Sequence, residues 1–324
     1  MEYLNLGSSG LSVSRLCLGT MQFGWTADQD TSLSVLDAAF DAGVNFIDTA
    51  NIYSRWVDGN PGGISERILG EWFRRDPSRR DRIVLATKVR GPMGGGPNDQ
   101  GLSRKHIFQA VQESMKRMET DYIDLYQLHW PDDETPIEET LEALTDLIAR
   151  GWVHYIGCSN FTAWRLVESL LLSEAHSYAR FVSLQPHYNL IHREEYEHEL
   201  EHICVKYGLG VIPYSPLARG FLTGKYRPNG SLPEGREEIP DRIKTYLGDP
   251  TKLSVLQTLR TKSQSYGVSE AQLSLAWLLS KPSVTSPIIG PRSIEQLNDN
   301  LGAMNAELTE DDVEELDTIS SWQS

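Results

Sequence analysis

The fold is decided by residues 31–48, TSLSVLDAAFDAGVNFID. Over residues 31–42, leucine and phenylalanine recur at helical spacing among polar side chains, which predicts an amphipathic helix. Gly43 ends that helix, and the apolar run at 44–48 then predicts a short strand. A helix, a break and a brief strand therefore form the unit from which the chain is built.

The same unit recurs along the chain. Eight strands are predicted, at residues 16–19, 44–48, 83–88, 122–129, 152–157, 181–185, 210–214 and 285–290. Helices between or after them are predicted at residues 31–42, 65–75, 107–118, 141–148, 164–173, 194–207, 271–279 and 294–301. Strands joined by helical crossovers form a parallel sheet. Eight such strands alternating with helices predict an α/β fold, the (β/α)8 TIM barrel. A bare barrel needs roughly 250 residues, so the 324 residues leave room for extensions.

The competing architecture is an open, doubly wound sheet. Such a sheet carries a GxGxxG motif after its first strand, and residues 19–24, GTMQFG, do not fit that motif. We therefore expect one barrel domain over residues 1–324, with an N-terminal hairpin from residues 3–6 and the region of Val13. A further helix is expected at residues 310–320.

Composition limits the classes of partner and the compartment. The formal net charge is −15, which argues against nucleic acid or an anionic membrane as the main partner. The N-terminus has no basic and apolar leader, and the longest apolar runs are only a few residues. Cys17, Cys158 and Cys204 are far apart and odd in number, which argues against a disulfide framework. These features predict a cytoplasmic protein.

Four polar side chains are candidates for catalysis. In a parallel barrel the active site forms at the carboxyl ends of the strands, where Asp48, Lys88 and His129 are predicted to lie. Tyr53 follows Asp48 by five residues and can fold back over the same end. Each residue alone has an ordinary explanation, such as a turn cap, a lysine reaching solvent or a core histidine. Their joint placement on one rim favours a functional site.

This quartet suits proton transfer to a carbonyl oxygen. A tyrosine has an ordinary pKa of about 10, and a neighbouring Lys88 ammonium is expected to lower it. Asp48 would hold Lys88, neutral His129 would orient the carbonyl, and Tyr53 would serve as general acid. No side chain supplies hydride, so a nicotinamide cofactor is required.

A metal-dependent hydrolase is the alternative reading of a barrel with histidines. It would need His and carboxylate side chains clustered at strand ends. His129 is followed by Trp130 and Pro131, whereas His187 and His192 lie in a polar segment without a matching set of partners. We therefore expect no metal site.

Several segments together resemble the aldo-keto reductase family over nearly the whole chain. They are residues 43–53 (GVNFIDTANIY), 86–88 (ATK), 121–129 (DYIDLYQLH) and 156–161 (IGCSNF). The resemblance implies a TIM barrel that reduces an aldehyde or ketone with NADPH. It also implies that Asp48, Tyr53, Lys88 and His129 are the family's catalytic tetrad.

The resemblance further implies where NADPH binds. Ser159, Asn160 and Gln185 would bind the nicotinamide carboxamide, and Tyr214 would stack beneath its ring. The phosphates and adenosine would meet Ser215, Leu217, Arg219, Lys225, Gly290, Arg292, Gln296 and Asn300. Arg292 can pair with a 2′-phosphate in a bidentate manner, which favours NADPH over NADH. The long connection at about 215–249 would cover the cofactor.

The substrate side is indicated by tryptophans. Trp25, Trp56 and Trp130 follow the first, second and fourth strands, where they can line an apolar or sugar-stacking pocket for the small carbonyl substrate. Residues 214–226, YSPLARGFLTGKY, resemble the bacterial branch that is also similar to potassium-channel β subunits. A redox-sensing regulatory subunit with incidental turnover is therefore the alternative function. Measured turnover with simple aldehydes discriminates between the two.

Overall fold

A computed structural model describes residues 1–227 and 238–323. The strands are β1 (Tyr3–Asn5), β2 (Ser12–Ser14), β3 (Cys17–Gly19), β4 (Phe46–Asp48), β5 (Val84–Val89), β6 (Ile123–Leu128), β7 (Val153–Ser159), β8 (Phe181–Gln185), β9 (Gly210–Val211) and β10 (Ile288–Ile289). The helices are α1 (Gln29–Asp41), α2 (Ile64–Arg75), α3 (Arg104–Met118), α4 (Ile137–Ala149), α5 (Ala163–His176), α6 (Glu201–Tyr207), α7 (Asp241–Leu247), α8 (Pro250–Tyr266), α9 (Glu270–Ser280), α10 (Ile294–Leu301) and α11 (Glu310–Ile319).

Strands β3 to β10 form one parallel sheet that closes on itself. Their order is β10-β3-β4-β5-β6-β7-β8-β9, so neighbours in the chain are neighbours in the sheet. The two ends of this order meet where Val211 pairs in parallel with Val284 and where the N–H of Ile288 donates to Pro213 O at 2.8 Å. The (β/α)8 barrel is confirmed, and the open-sheet alternative is wrong.

The apolar core has two layers. The outer layer lies between the strands and the surrounding helices, as expected for a barrel whose crossovers are helical. The inner layer fills the barrel with side chains such as Phe46, Leu125 and Ile212. Leu6 and Val13, from the antiparallel hairpin of β1 and β2, are wholly buried in this inner layer. The predicted N-terminal hairpin is thus confirmed, and it packs against the barrel interior.

The C-terminal third of the chain differs from the prediction in two places. The predicted connection at 215–249 contains a 3-10 helical turn, Ala218–Thr223, and helix α7, while its residues 228–237 lie outside the described residues. Helix α8 was not predicted. Its start is fixed by Asp249, whose carboxylate accepts from the N–H of Thr251 at 3.0 Å, next to a proline in the first helical turn.

The remaining predicted element, the helix near residues 310–320, is present as α11. Leu316 of α11 is wholly buried, and Lys262 of α8 forms an ion pair with Asp312 of α11. These contacts fasten the chain end to the outside of the barrel. Within residues 1–227 and 238–323, no helix is both long enough and apolar enough to cross a bilayer.

Candidate active site

The parallel strands bring the four candidate catalytic residues to one end of the barrel. Asp48 ends β4, Lys88 lies near the end of β5, and His129 directly follows β6. Tyr53 reaches the same place from the loop after β4. All four are buried: Lys88 is fully inaccessible, Asp48 is 1% exposed, His129 8% and Tyr53 9%. The predicted clustering of these side chains is therefore what the structure shows.

The Lys88 ammonium is the centre of the cluster. It donates to Asp48 Oδ2 at 2.5 Å, to Tyr53 Oη at 2.8 Å and to the Thr49 carbonyl at 3.0 Å. These three bonds use all three of its protons. Burial lowers the pKa of Lys88, but Asp48 and Tyr53 raise it by more, so the pKa lies above its ordinary value. Lys88 is therefore charged at neutral pH.

Tyr53 differs from the expectation in the direction of its pKa. Burial raises the pKa, the Lys88 charge lowers it in part, and the result is about 12. The expectation that Lys88 brings the pKa below its ordinary value is wrong, because burial outweighs the ammonium. Tyr53 is thus a protonated phenol at neutral pH. Since Lys88 donates to Oη, the phenolic proton is left to donate to another acceptor.

His129 is neutral, as expected from the sequence. Burial holds the pKa of His129 well below its ordinary value, and the charges of Lys88 and Arg90 add to this effect. The ring centroids of His129 and Tyr53 are 6.0 Å apart in an edge-to-face arrangement. A neutral imidazole can donate one hydrogen bond from one ring nitrogen. A carbonyl oxygen placed at this end of the barrel would be within the reach of both rings.

Gln127 is a site residue that was not predicted. Its Nε2 donates to Asp48 Oδ1 at 2.8 Å, and Gln185 Nε2 donates to the same oxygen at 3.0 Å and to Gln127 Oε1 at 3.1 Å. Both carboxylate oxygens of Asp48 are therefore held. The amide nitrogen of Gln185, which was expected to bind a carboxamide, is engaged beneath the tetrad instead, so only its Oε1 is left for such a contact.

A chain of polar side chains continues from this cluster along the rim. Ser159 Oγ donates to the Gln185 carbonyl at 2.8 Å, and Asn160 Nδ2 donates to Ser159 Oγ at 3.1 Å. Tyr214 Oη donates to Asn160 Oδ1 at 2.9 Å. The structure thus brings together the four residues expected at a nicotinamide, and their mutual bonds fix the Tyr214 ring at the edge of the barrel.

The segment after Tyr214 has an unusual backbone. Ser215, Ala218 and Arg219 all have positive φ angles, of 53°, 47° and 58°. Such conformations are uncommon for residues other than glycine and are found at functional sites. The backbone N–H groups of Ser215 and Leu217 donate to no acceptor in the part of the chain that the structure describes. These N–H groups, with exposed Arg219 and Lys225, suit an anionic ligand.

The predicted adenosine side is formed by the start of α10. Ser293 caps this helix, and the Gln296 side chain accepts from the Arg292 N–H at 3.1 Å. Gln296 is therefore partly engaged, and Asn300, only 5% exposed, lies deeper than expected. The Arg292 guanidinium forms no hydrogen bond or ion pair with any residue of 1–227 or 238–323. A guanidinium at a helix N-terminus, with no partner among the described residues, fits a phosphate group.

Gly290 also fits a bound ligand. Among the residues that the structure describes, a Cβ atom at Gly290 would meet nothing nearer than Gln22 Nε2, at 4.0 Å. The fold itself does not require glycine at this position, because the backbone faces open space. A large ligand passing along the barrel end could approach this backbone closely. The described residues thus fit an extended dinucleotide from Tyr214 to Arg292.

Two of the three predicted substrate tryptophans, Trp56 and Trp130, pack against tetrad residues, and Trp25 packs against Trp56. Trp25 and Trp56 pack edge to face with centroids 5.5 Å apart, and Trp56 lies 6.3 Å from Tyr53. Trp130 stacks on His129 at 3.6 Å. The exposed fractions of these tryptophans are 37–48%, so their faces remain accessible. Five aromatic side chains at this end of the barrel are linked by ring contacts, and we call them the aromatic rim: Trp25, Tyr53, Trp56, His129 and Trp130.

His187 and His192, which were expected to lack a matching set of partners, lie next to each other in the structure. The loop after β8 folds so that one donor atom each from His187, His192 and Glu195 lie within 4.8 Å of one another. Tyr214 stacks on His187 with centroids 5.0 Å apart. Burial, followed by the charges of His192 and nearby arginines, lowers the pKa of His187 to about 3. Sequence spacing does not reveal this cluster, because the fold of the loop creates it.

A family model and several known proteins match this chain over almost its full length. The sequence model of the Aldo/keto reductase family matches residues 15–321. A Bacillus subtilis protein named Uncharacterized oxidoreductase YrpG is 41% identical over 98% of this chain and 96% of its own length. A probable voltage-gated potassium channel subunit beta of Arabidopsis thaliana is 37% identical over 94% and 92%. A putative aryl-alcohol dehydrogenase of Schizosaccharomyces pombe is 35% identical over 96% and 93%. The barrel, its buried cluster of four residues and these matches agree: the chain belongs to the aldo/keto reductase family of oxidoreductases.

Proposed function

We propose that this protein reduces an aldehyde or ketone to the alcohol, reversibly, with NADPH as cofactor. The observation that carries the proposal is the buried Lys88 ammonium, which bonds Asp48 and Tyr53 at once beside a neutral His129. This is the arrangement needed to protonate an oxygen that gains negative charge. The family and its oxidoreductase relatives support the same reaction class.

Each member of the tetrad has a separate task. Tyr53 donates its phenolic proton to the carbonyl oxygen, and the phenolate that remains is stabilised by the Lys88 ammonium at 2.8 Å. Asp48 keeps that ammonium charged and in place. His129 donates a hydrogen bond that orients the carbonyl. NADPH, when bound, supplies the hydride. In the reverse direction, Tyr53 takes the proton back from the alcohol.

The proposed cofactor site runs from Tyr214 to α10. The Asn160 amide nitrogen donates to the His129 carbonyl and to Ser159 Oγ, so only its Oδ1 is left to accept from the nicotinamide end. Tyr214 offers a ring face there, and Arg219 offers charge for the phosphates. Arg292 has a guanidinium with no ion-pair partner in the described ranges and lies just before the N-terminus of α10. A 2′-phosphate can occupy such a position, which favours NADPH over NADH.

The aromatic rim supports flat, aromatic carbonyl compounds as substrates. Trp56 and Trp130 contact the two rings that would flank the reacting carbonyl, Tyr53 and His129. Offset or edge-to-face packing against such rings favours an aromatic ligand by about 0.5–1.5 kcal/mol per pair beyond area burial. One relative is itself named a putative aryl-alcohol dehydrogenase, which agrees with this choice.

The test is a screen of NADPH oxidation over aromatic and aliphatic aldehydes, ketones and keto-sugars. We expect many turnovers per enzyme, fastest with aromatic aldehydes. The 37% identity to a potassium channel subunit beta favours one alternative, a redox-sensing subunit with incidental turnover. A single slow turnover with the cofactor retained would support that alternative and contradict the proposal.

We also propose a reducing, cytoplasmic setting, which is supported by three cysteines that are free and buried.

A further inference from the structure

We propose that His187, His192 and Glu195 bind one divalent first-row transition-metal ion of the Zn²⁺ type. The three residues lie in and just after the loop that follows β8, outside the tetrad. One donor atom from each lies within 4.8 Å of the other two. Two imidazoles and one carboxylate form a common donor set for such ions, with open positions for water.

One edge of the site already has the dimensions of a metal centre. Zn–N and Zn–O bonds of about 2.0–2.1 Å in a tetrahedron place neighbouring ligand atoms about 3.3 Å apart. His192 Nε2 and Glu195 Oε2 are 3.2 Å apart. The His187 donor atom lies no more than 4.8 Å from these two atoms, so a contraction of at most about 1.5 Å on that side completes the site.

One of these ligand atoms, His192 Nε2, lacks a hydrogen bond. His192 Nε2 is buried and has no hydrogen-bond partner among the residues described, because the nearby carboxylate is not in hydrogen-bond geometry. A buried polar atom without a partner costs free energy, and such atoms call for an explanation. A coordinated ion would satisfy His192 Nε2 and the Glu195 carboxylate together.

The side chains that must move are the accessible ones. The His187 and His192 rings are now stacked, with centroids 3.7 Å apart and planes inclined by 27°, so one ring must turn before both lone pairs meet one ion. His187 is held against Tyr214. The His192 and Glu195 side chains are 28% and 70% exposed. The backbone between Asn189 and His192 is fixed by two hydrogen bonds, so side-chain rotation closes the site.

Two nearby arginines weaken the affinity of this site for a cation but do not abolish it. Arg219 and Arg242 act electrostatically on His187, and both oppose a cation. Glu195 supplies the negative charge of the donor set. With three protein ligands and this opposing field, we expect weaker binding than at a closed four-ligand structural site.

Equilibrium dialysis of the full chain against Zn²⁺, without affinity tag or cofactor, tests the proposal. We expect saturation at one ion per chain. His192→Gln and Glu195→Gln should each weaken binding at least roughly tenfold, since even the outer partners of metal ligands contribute about ten- to a hundredfold. His176→Gln, which removes an exposed histidine on α5, is the matched control and should leave binding unchanged.

Absence of saturable Zn²⁺ binding would overturn the proposal. So would equal affinity of the wild type and His192→Gln, or an equal loss in the His176→Gln control. Circular dichroism of each variant shows that the fold is retained. Because no cofactor or aldehyde is present, the result is independent of whether the protein reduces carbonyl compounds.

Discussion

Replacing Lys88 by methionine is expected to lower the free energy of unfolding by about 3–5 kcal/mol, the usual cost of removing one partner from a buried ion pair. Methionine fills a similar volume but donates no hydrogen bond. Asp48, only 1% exposed, would be left as a buried charge without its cation. The Thr49 carbonyl and Tyr53 Oη would each lose a donor as well.

The structure also indicates how the loss can be reversed. Asp48→Asn keeps an Oδ1 atom that can accept from Gln127 and Gln185, which now donate to the carboxylate at 2.8 and 3.0 Å. In the double variant, Asp48→Asn with Lys88→Met, neither residue carries a charge. We therefore expect the double variant to recover about 2–3 kcal/mol relative to the sum of the two single losses, within the range of coupling between contacting residues.

Urea unfolding followed by tryptophan fluorescence, with reversibility shown for each variant, measures all four free energies. A loss below about 1 kcal/mol for Lys88→Met would contradict this expectation, because a buried carboxylate would then have lost its cation at no cost. Strictly additive losses in the double variant would also refute it. In that case, the two charges would not be coupled as the 2.5 Å contact implies.

Other predictions concern binding, pH and substrate choice. Arg292→Ala should weaken NADPH roughly ten- to a hundredfold, since a hydrogen bond to a charged group contributes about 1.5–3 kcal/mol; NADH should be nearly unaffected, and equal losses in a fluorescence titration would contradict this role. Because His129 is neutral and the pKa of Tyr53 is about 12, kcat/KM for reduction should be flat from about pH 6 to 9; a group titrating in that range would contradict a neutral His129. Trp56→Leu should lower kcat/KM for aromatic relative to aliphatic aldehydes about two- to tenfold. Trp164→Leu, at an exposed tryptophan outside the aromatic rim, should leave that ratio unchanged.

The barrel and the tetrad were predictable because local patterns determine both. Each barrel strand is a short apolar run, and in a closed parallel sheet all carboxyl ends meet at one edge. Asp48 and Lys88 could therefore be placed together although 40 residues separate them. Gln127 could have been found in the same way, since it lies two residues before His129 and period two puts both on one face of the strand.

Other features depend on distances that no local pattern contains. The pKa of Tyr53 is set by the balance between burial and the Lys88 charge, and the sequence indicates only the second. The bond from Gln185 to Asp48 joins residues 137 positions apart. The contact of His187 with His192 arises from the path of a loop. The start of α8, by contrast, was readable from Asp249 followed by a proline, but residues 250–266 were assigned to no element.

The Tyr53→Phe variant shows whether Tyr53 donates the proton to the carbonyl oxygen. Its rate of NADPH oxidation is measured with an aldehyde that the wild type turns over, and NADPH affinity is measured on the same sample. We expect a rate at least about a hundredfold lower, the usual contribution of a general acid, with unchanged NADPH affinity. A rate near that of the wild type would contradict this expectation.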